Sequence, residues 1–267
     1  MQITTASETT RGFGAELRSW RMRRGLSQLD LALRCGTSQR HLSFLETGRA
    51  RPSRGMVLAL AGVLDVPLRH QNALLLAAGF APAFRERALG TPELTAIDRA
   101  VSLMLAKQEP YPALIIDRRW RYTRGNAGAV KLFTLIAGGE PPPGTNLQDA
   151  LLAPQGMRQI IENWDEVATW TLRRAQAEAV IEGTPEAMAE MDRLLAFPGL
   201  PKLANTPKHD GTLPPVLTMN IVKDGIRLSL FSTIATLGTP LDVTMQDLRI
   251  ETFFPADDAT EAWFQGA

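Results

Sequence analysis

The stretch LSQLDLALRCGTSQRHLSFLE, residues 26–46, decides how the front of this chain folds. Ser27 and Ser38 each stand just before a helical run, where a side-chain oxygen can cap free backbone N–H groups. Leu31 and Cys35 share one face of the first run at i, i+4. Leu42 and Leu45 share one face of the second at i, i+3. Gly36 falls where the first helix must stop, and glycine tolerates the left-handed backbone of a tight turn. With the apolar positions turned inward, Gln39, Arg40, Ser43 and Phe44 look outward.

This pattern resembles the XRE-type helix-turn-helix of the lambda and Cro repressor class. The matching residues are Leu26, Ser27 and Gln28 at the opening, Ala32, Gly36, Ser38, Leu42 and Ser43, and the closing Glu46 and Gly48. A helical hairpin that binds protein is the alternative reading of the same spacing. The resemblance implies DNA binding through Gln28, Ser38, Gln39, Arg40, Ser43, Phe44, Arg49 and Arg51. Gln28 and Ser43 suit phosphates, and Ser38 opens the second motif helix. Arg40 can bond guanine O6 and N7, Gln39 adenine N6 and N7, and Phe44 can pack on a thymine methyl. Arg49 and Arg51 fit the backbone or the minor groove. A solvated surface side chain is the alternative for each. Arg21 and Glu46 stand where this class places an ion pair joining its first and recognition helices.

Working outward, Phe13–Arg24 is a helix with Phe13, Leu17 and Trp20 on one face, and Gly25 ends it. Residues 1–10 read as a loose leader. Behind the motif, TGRARPSRG (47–55) is a basic loop. Ser53 caps a fourth helix, and Pro67 opens a fifth that Gly79 stops. Residues 1–80 are thus an expected five-helix domain and 81–92 a linker, leaving 93–267 as a second domain. That domain opens with an amphipathic helix, 93–107. Strands follow at ALIID (113–117) and WRYTR (120–124), then an Asn126-capped helix. Helices are expected at 147–152, 155–182 and after Pro185. A hairpin joins PVLTMNIV (215–222) to IRLSLFSTIAT (226–236) through Asp224-Gly225, and LGTPLD near 240 reads as a turn. A third strand at 247–254 and a short helix from Asp257 close the chain.

Charge divides the same way. Residues 1–90 hold 13 Arg and no Lys against 6 Asp and Glu, giving +7. Residues 91–267 hold 16 basic against 22 acidic residues, giving −6. Phosphates would attract the first part and repel the second. The single cysteine allows no internal disulfide, no apolar run is long enough to span a bilayer, and the N-terminus lacks a signal-peptide layout. A cytoplasmic protein is expected. His41, His70 and His209 form no metal-ligand spacing, and no GxSxG, P-loop or GxGxxG appears. No catalytic residue, metal or obligate cofactor is therefore expected.

The strand–turn–strand–Asn-capped helix resembles the opening of a PAS-like sensor domain. The whole chain resembles a bacterial family of regulators with an XRE head and a MmyB-like ligand-binding domain. SQRHLSFLETGRARPSR (38–54), NALLLAAGFAP (72–82), PYPALIIDRRW (110–120) and FSTIATLGTPLDVTMQDLRIETFFPAD (231–257) carry it. The implied fold is α+β: a lambda-repressor-like all-α domain, then a PAS-like domain with an antiparallel sheet and added helices. The implied function is transcription regulation, with an apolar pocket for a fatty-acid-like ligand. Apolar candidates for its lining are Leu114, Ile116, Phe133, Trp164, Trp170, Leu217, Met219, Leu230 and Ile234, with Arg173 and His209 at a polar end. Each also suits an ordinary core or surface position. The class implies a homodimer on a palindromic operator, with recognition helices about 34 Å apart. The other reading of the second domain is a dimerisation or protein-interaction module without a small ligand.

Overall fold

Five short helices crowd one apolar centre at the front of the chain, as seen in a computed structural model that describes residues 12–202 and 216–266. They are α1 (Phe13–Arg23), α2 (Gln28–Arg34), α3 (Gln39–Glu46), α4 (Arg54–Val63) and α5 (Leu68–Ala77). Ser27, Ser38 and Ser53 cap α2, α3 and α4 by accepting from the backbone N–H three residues on. At Ser27 the cap is reciprocal, since Asp30 accepts from the Ser27 N–H. Leu17, Leu31, Leu42, Leu45 and Leu60 meet in the core. Full burial of each leucine contributes roughly 1.5–3 kcal/mol. Gly14 sets the approach of α1 to α3: a Cβ there would lie 2.5 Å from the carbonyl oxygens of Leu45 and Glu46.

The expected linker is half absorbed by this unit. The Asn72 side chain accepts from the Ala83 and Phe84 N–H groups at 2.9 and 3.0 Å and donates to the Phe84 carbonyl at 2.7 Å. Phe80 and Ala83 pack on the helical core. The first compact unit therefore extends to Glu86, and it also includes Pro240–Gln246. In that segment the Gln246 side chain accepts from the Leu68 N–H at 2.7 Å, and Val243 donates to the Arg85 carbonyl at 2.9 Å.

The second unit holds residues 87–239 and 247–267. Its sheet comprises β1 (Ala113–Ile116), β2 (Tyr122–Gly125), β3 (Met219–Lys223), β4 (Ile226–Thr236) and β5 (Arg249–Pro255). The order is β2-β1-β5-β4-β3 and every pairing is antiparallel. The β3–β4 turn uses positive φ at Asp224 and Gly225, as the Asp-Gly pair predicts. Helices α6 (Thr95–Lys107), α7 (Ala127–Ala137), α8 (Leu147–Leu152), α9 (Trp164–Glu182) and α10 (Pro185–Leu195) precede the β3–β5 part of the sheet in sequence and α12 (Asp258–Gln265) follows it, whereas α11 (Val243–Asp247) falls almost wholly in the first unit. Buried Asn126 ties three of these pieces together. Its Oδ1 accepts from the Ala113 and Ala129 N–H groups, and its Nδ2 donates to the Leu105 and Tyr111 carbonyls. It thereby caps α7, anchors β1 and satisfies the end of α6.

Two elements differ from the sequence-based expectation. The helix expected over 155–182 begins only at Trp164, after a 3₁₀ turn at Met157–Gln159. The intervening backbone serves the edge of β3 instead: Val222 donates to the Ile160 carbonyl at 2.7 Å and Glu162 donates to the Asn220 carbonyl at 2.8 Å. The stretch read as a turn near 240 is indeed non-helical over 237–242, but an unforeseen helix, α11 (Val243–Asp247), follows it, its start held by Asp242 accepting from the Thr244 N–H. The leader at 1–10 and His209 lie outside the described residues.

Candidate DNA-reading face and ligand cavity

Helix α3 turns Leu42 and Leu45 inward, each fully buried, and leaves Gln39 and Arg40 exposed and Ser43 and Phe44 half-buried. The Arg40 guanidinium lies 5.4 Å from the Phe44 ring centre, so these two side chains occupy one patch. The loop behind α3 folds back on it, because the Arg49 and Ala50 N–H groups both donate to the Phe44 carbonyl, at 2.8 and 3.1 Å. Arg49 and Arg51 are thereby held exposed beside the helix. Ser38 spends its side chain on the His41 N–H as the cap of α3.

Beneath this face lies the expected ion pair. Arg21 Nε and Nη2 donate to the two Glu46 carboxylate oxygens at 2.6 and 3.0 Å, and both side chains are nearly closed to solvent. The bond to Glu46 outweighs burial and raises the Arg21 pKa further. Gln28, expected to reach a phosphate, is half-buried at the start of α2, and its Nε2 donates to Glu46 at 2.8 Å. That bond ties Gln28 to the Arg21–Glu46 pair and leaves its second amide hydrogen and its carbonyl oxygen for an outside partner. Cys35 sits against the core, where burial pushes its thiol pKa up. That is the opposite of an activated cysteine.

In the second unit the sheet and helices α7, α8 and α9 line a partly open cavity of about 1160 Å³. This slightly exceeds the usual range of roughly 300–1,000 Å³ for small-molecule sites. Of the residues expected to line it, Leu114, Phe133, Trp170, Leu217, Met219 and Leu230 do so. Three apolar candidates do not. Ile116 is fully buried against Tyr122, Trp164 packs with Leu172 and Met191 in the α9–α10 core, and Ile234 on β4 falls outside the lining. Arg173 is also misplaced: it points along α9 over the Trp170 ring at 5.7 Å, whereas the neighbouring Arg174 reaches the cavity.

The polar lining that the sequence reading missed is Gln148, Arg174, Ser232 and Glu251. Period-two alternation along RIETFFP already places Glu251 on the same face as Phe253, and both line the cavity. Gln148 carried a weaker signal, an amide among the leucines of a short helix. Glu251 accepts from Ser232 Oγ at 2.8 Å, and burial raises the carboxyl pKa above its usual range despite that bond and the nearby Arg174 and Arg249. Trp120 lines the cavity from the β1–β2 turn with φ at 60°, held by Asp117, which accepts from the Arg119 and Arg121 N–H groups. Such a backbone is uncommon for a bulky side chain and fixes where the indole points.

Among the described residues, no cluster of His, Cys, Asp and Glu could hold a metal ion. None of their helices is long and apolar enough to cross a membrane. No curated protein matches the chain. One solved structure, "Structure of an RNA-binding Light-Oxygen-Voltage Receptor", aligns with 95% of this chain at 13% identity and a TM-score of 0.29. This chain spans 62% of that one, and the likeness is too low to carry any argument. Residues 17–71 match the helix-turn-helix family, and residues 97–266 match the family described as MmyB-like transcription regulator ligand binding domain. With an exposed recognition helix in one unit and a lined cavity in the other, the chain belongs to the MmyB-like transcription regulators: a DNA-binding regulator with a ligand-binding domain.

Proposed function

We propose that the ligand is a fatty-acid-like molecule, and that it modulates the binding of a homodimer to a palindromic operator. The observation that carries this reading is the large cavity walled by Leu114, Leu132, Phe133, Ile136, Met219 and Phe253. Such a lining gains by covering an acyl chain and offers little to a sugar or nucleotide. The same cavity favours a sensor over a domain that serves only to dimerise. On the DNA side, Arg40, Gln39 and Phe44 read base edges, while Ser43, Arg49 and Arg51 hold the backbone. One α3 reaches only a few base pairs, so a second copy supplies the other half-site about 34 Å away. Exposed Leu103 and Met104 on α6 suit the dimer contact in the ligand-binding domain.

Native mass spectrometry on gently purified protein tests subunit count and retained molecules together. A dimer carrying an aliphatic mass is the expected result. After delipidation, dodecanoate should bind saturably, and Met219→Trp, which fills the cavity, should abolish that binding. Absence of any aliphatic passenger, together with no binding of alkanoates from octanoate to hexadecanoate, would overturn the ligand assignment.

A further inference from the structure

One corner of the cavity carries polar groups that an acyl chain alone does not require. Gln148 is 5% exposed, lines the cavity, and has no hydrogen-bond partner for its Nε2 among the described residues. A buried amide donor without a partner costs desolvation with nothing returned, unless a ligand supplies the acceptor. Leu147, next to it, donates its N–H to the Trp120 carbonyl at 2.9 Å. The Trp120 ring has the Arg174 guanidinium 4.9 Å from its centre and that of Arg249 at 5.8 Å. Both arginines share a single carboxylate, that of Glu178, at 3.1 and 2.9 Å. Glu178 also accepts from the Trp120 indole N–H at 3.2 Å. Glu251 is the other acid of this corner. Burial raises its carboxyl pKa, while Arg174 and Arg249 nearby lower it.

We propose that this corner is the head-group end of the cavity, where Arg174 and the Gln148 amide bind the carboxylate of an acyl ligand whose tail runs over Leu132, Met219 and Phe253. The assignment rests on the acyl-chain reading of the cavity and makes it specific. An anionic head pairs with a guanidinium, accepts from Gln148, and sits against a planar group already oriented by Trp120 and Glu178. Arg173, one residue earlier, takes no part.

Binding of dodecanoate and of dodecanol to the delipidated full-length protein tests the assignment. Arg174→Gln is expected to weaken dodecanoate by roughly tenfold or more while leaving dodecanol within about twofold. Gln148→Leu should weaken both probes severalfold, since either oxygen can accept from the amide. Arg174→Lys, which keeps the charge but loses the planar fork, should recover part of the dodecanoate affinity. Arg173→Gln should change neither. Equal losses for the two probes in Arg174→Gln, or a dodecanoate-selective loss in Arg173→Gln, would overturn the head-group assignment while the acyl-chain reading stands. Wild-type protein that binds neither probe would overturn both.

Discussion

Each half of the molecule buries a carboxylate, and the two are treated in opposite ways. Glu46, in the helical unit, receives Arg21 twice and Gln28 once, so its hydrogen-bonding capacity is consumed by the fold. Among the described residues, Glu251, in the ligand-binding unit, receives only the Ser232 hydroxyl and lines a cavity together with a Gln148 amide that has no partner. A domain that must present a rigid face to DNA spends its buried polar groups on locking α1 to α3. A domain that must accept a small molecule leaves some of them for the guest.

The largest expected effect comes from breaking the locked site. Glu46→Ala strands the Arg21 guanidinium in the core and should cost about 3–5 kcal/mol. In hydrogen exchange the loss should appear across α1–α3 and leave β1, β4 and β5 protected. Uniform loss of protection in both units would show that they do not behave as separate cores. The second unit has its own lock, and Asn126→Ala should cost about 2–4 kcal/mol, since it removes an N-cap and strands buried backbone groups. Denaturant melts combined with exchange should assign this loss to the sheet unit. A smaller effect, about 1–3 kcal/mol in operator affinity, is expected for Arg40→Ala, with relaxed preference at one base position. Gel shifts in which Arg40→Ala keeps both affinity and preference would remove Arg40 from the readers. Arg49→Ala should instead weaken all sequences alike and reduce the salt dependence by about one phosphate contact.

The smallest effect concerns pH. The Glu251 pKa lies above the ordinary glutamate value because the folded state desolvates the carboxylate. The folded chain therefore binds this proton more tightly than the unfolded chain does. Stability from this group is present at low pH and falls as pH rises from about the unfolded value through the folded one. Glu251→Gln, which holds a neutral group in place, should flatten that decline in thermal melts, with little change in acid. A decline that keeps its slope would mean that another group causes it.

The same contrast explains what was legible in the sequence. Helical caps, the Leu42/Leu45 stripe, the Asp-Gly hairpin and the Asn126 cap all act within a few residues, so spacing alone reveals them. Six cavity residues were equally visible as apolar positions on the expected strands and helices. Ile116 and Trp164 have the same composition and periodicity as those six, yet they face other side chains. No one-dimensional pattern separates a residue buried against protein from one buried against a void.

The sequence by itself determined two domains with opposite charge, an exposed recognition helix in the basic one, and an antiparallel sheet in the other. Each of these follows from local periodicity, capping and composition. Only the tertiary structure decided that Gln28 joins the Arg21–Glu46 pair, that 160–163 serve the β3 edge instead of a helix, and that Arg174 rather than Arg173 reaches the cavity. Those outcomes depend on partners far apart in the chain. Which neighbour satisfies a polar group is settled by packing, which sequence spacing does not encode.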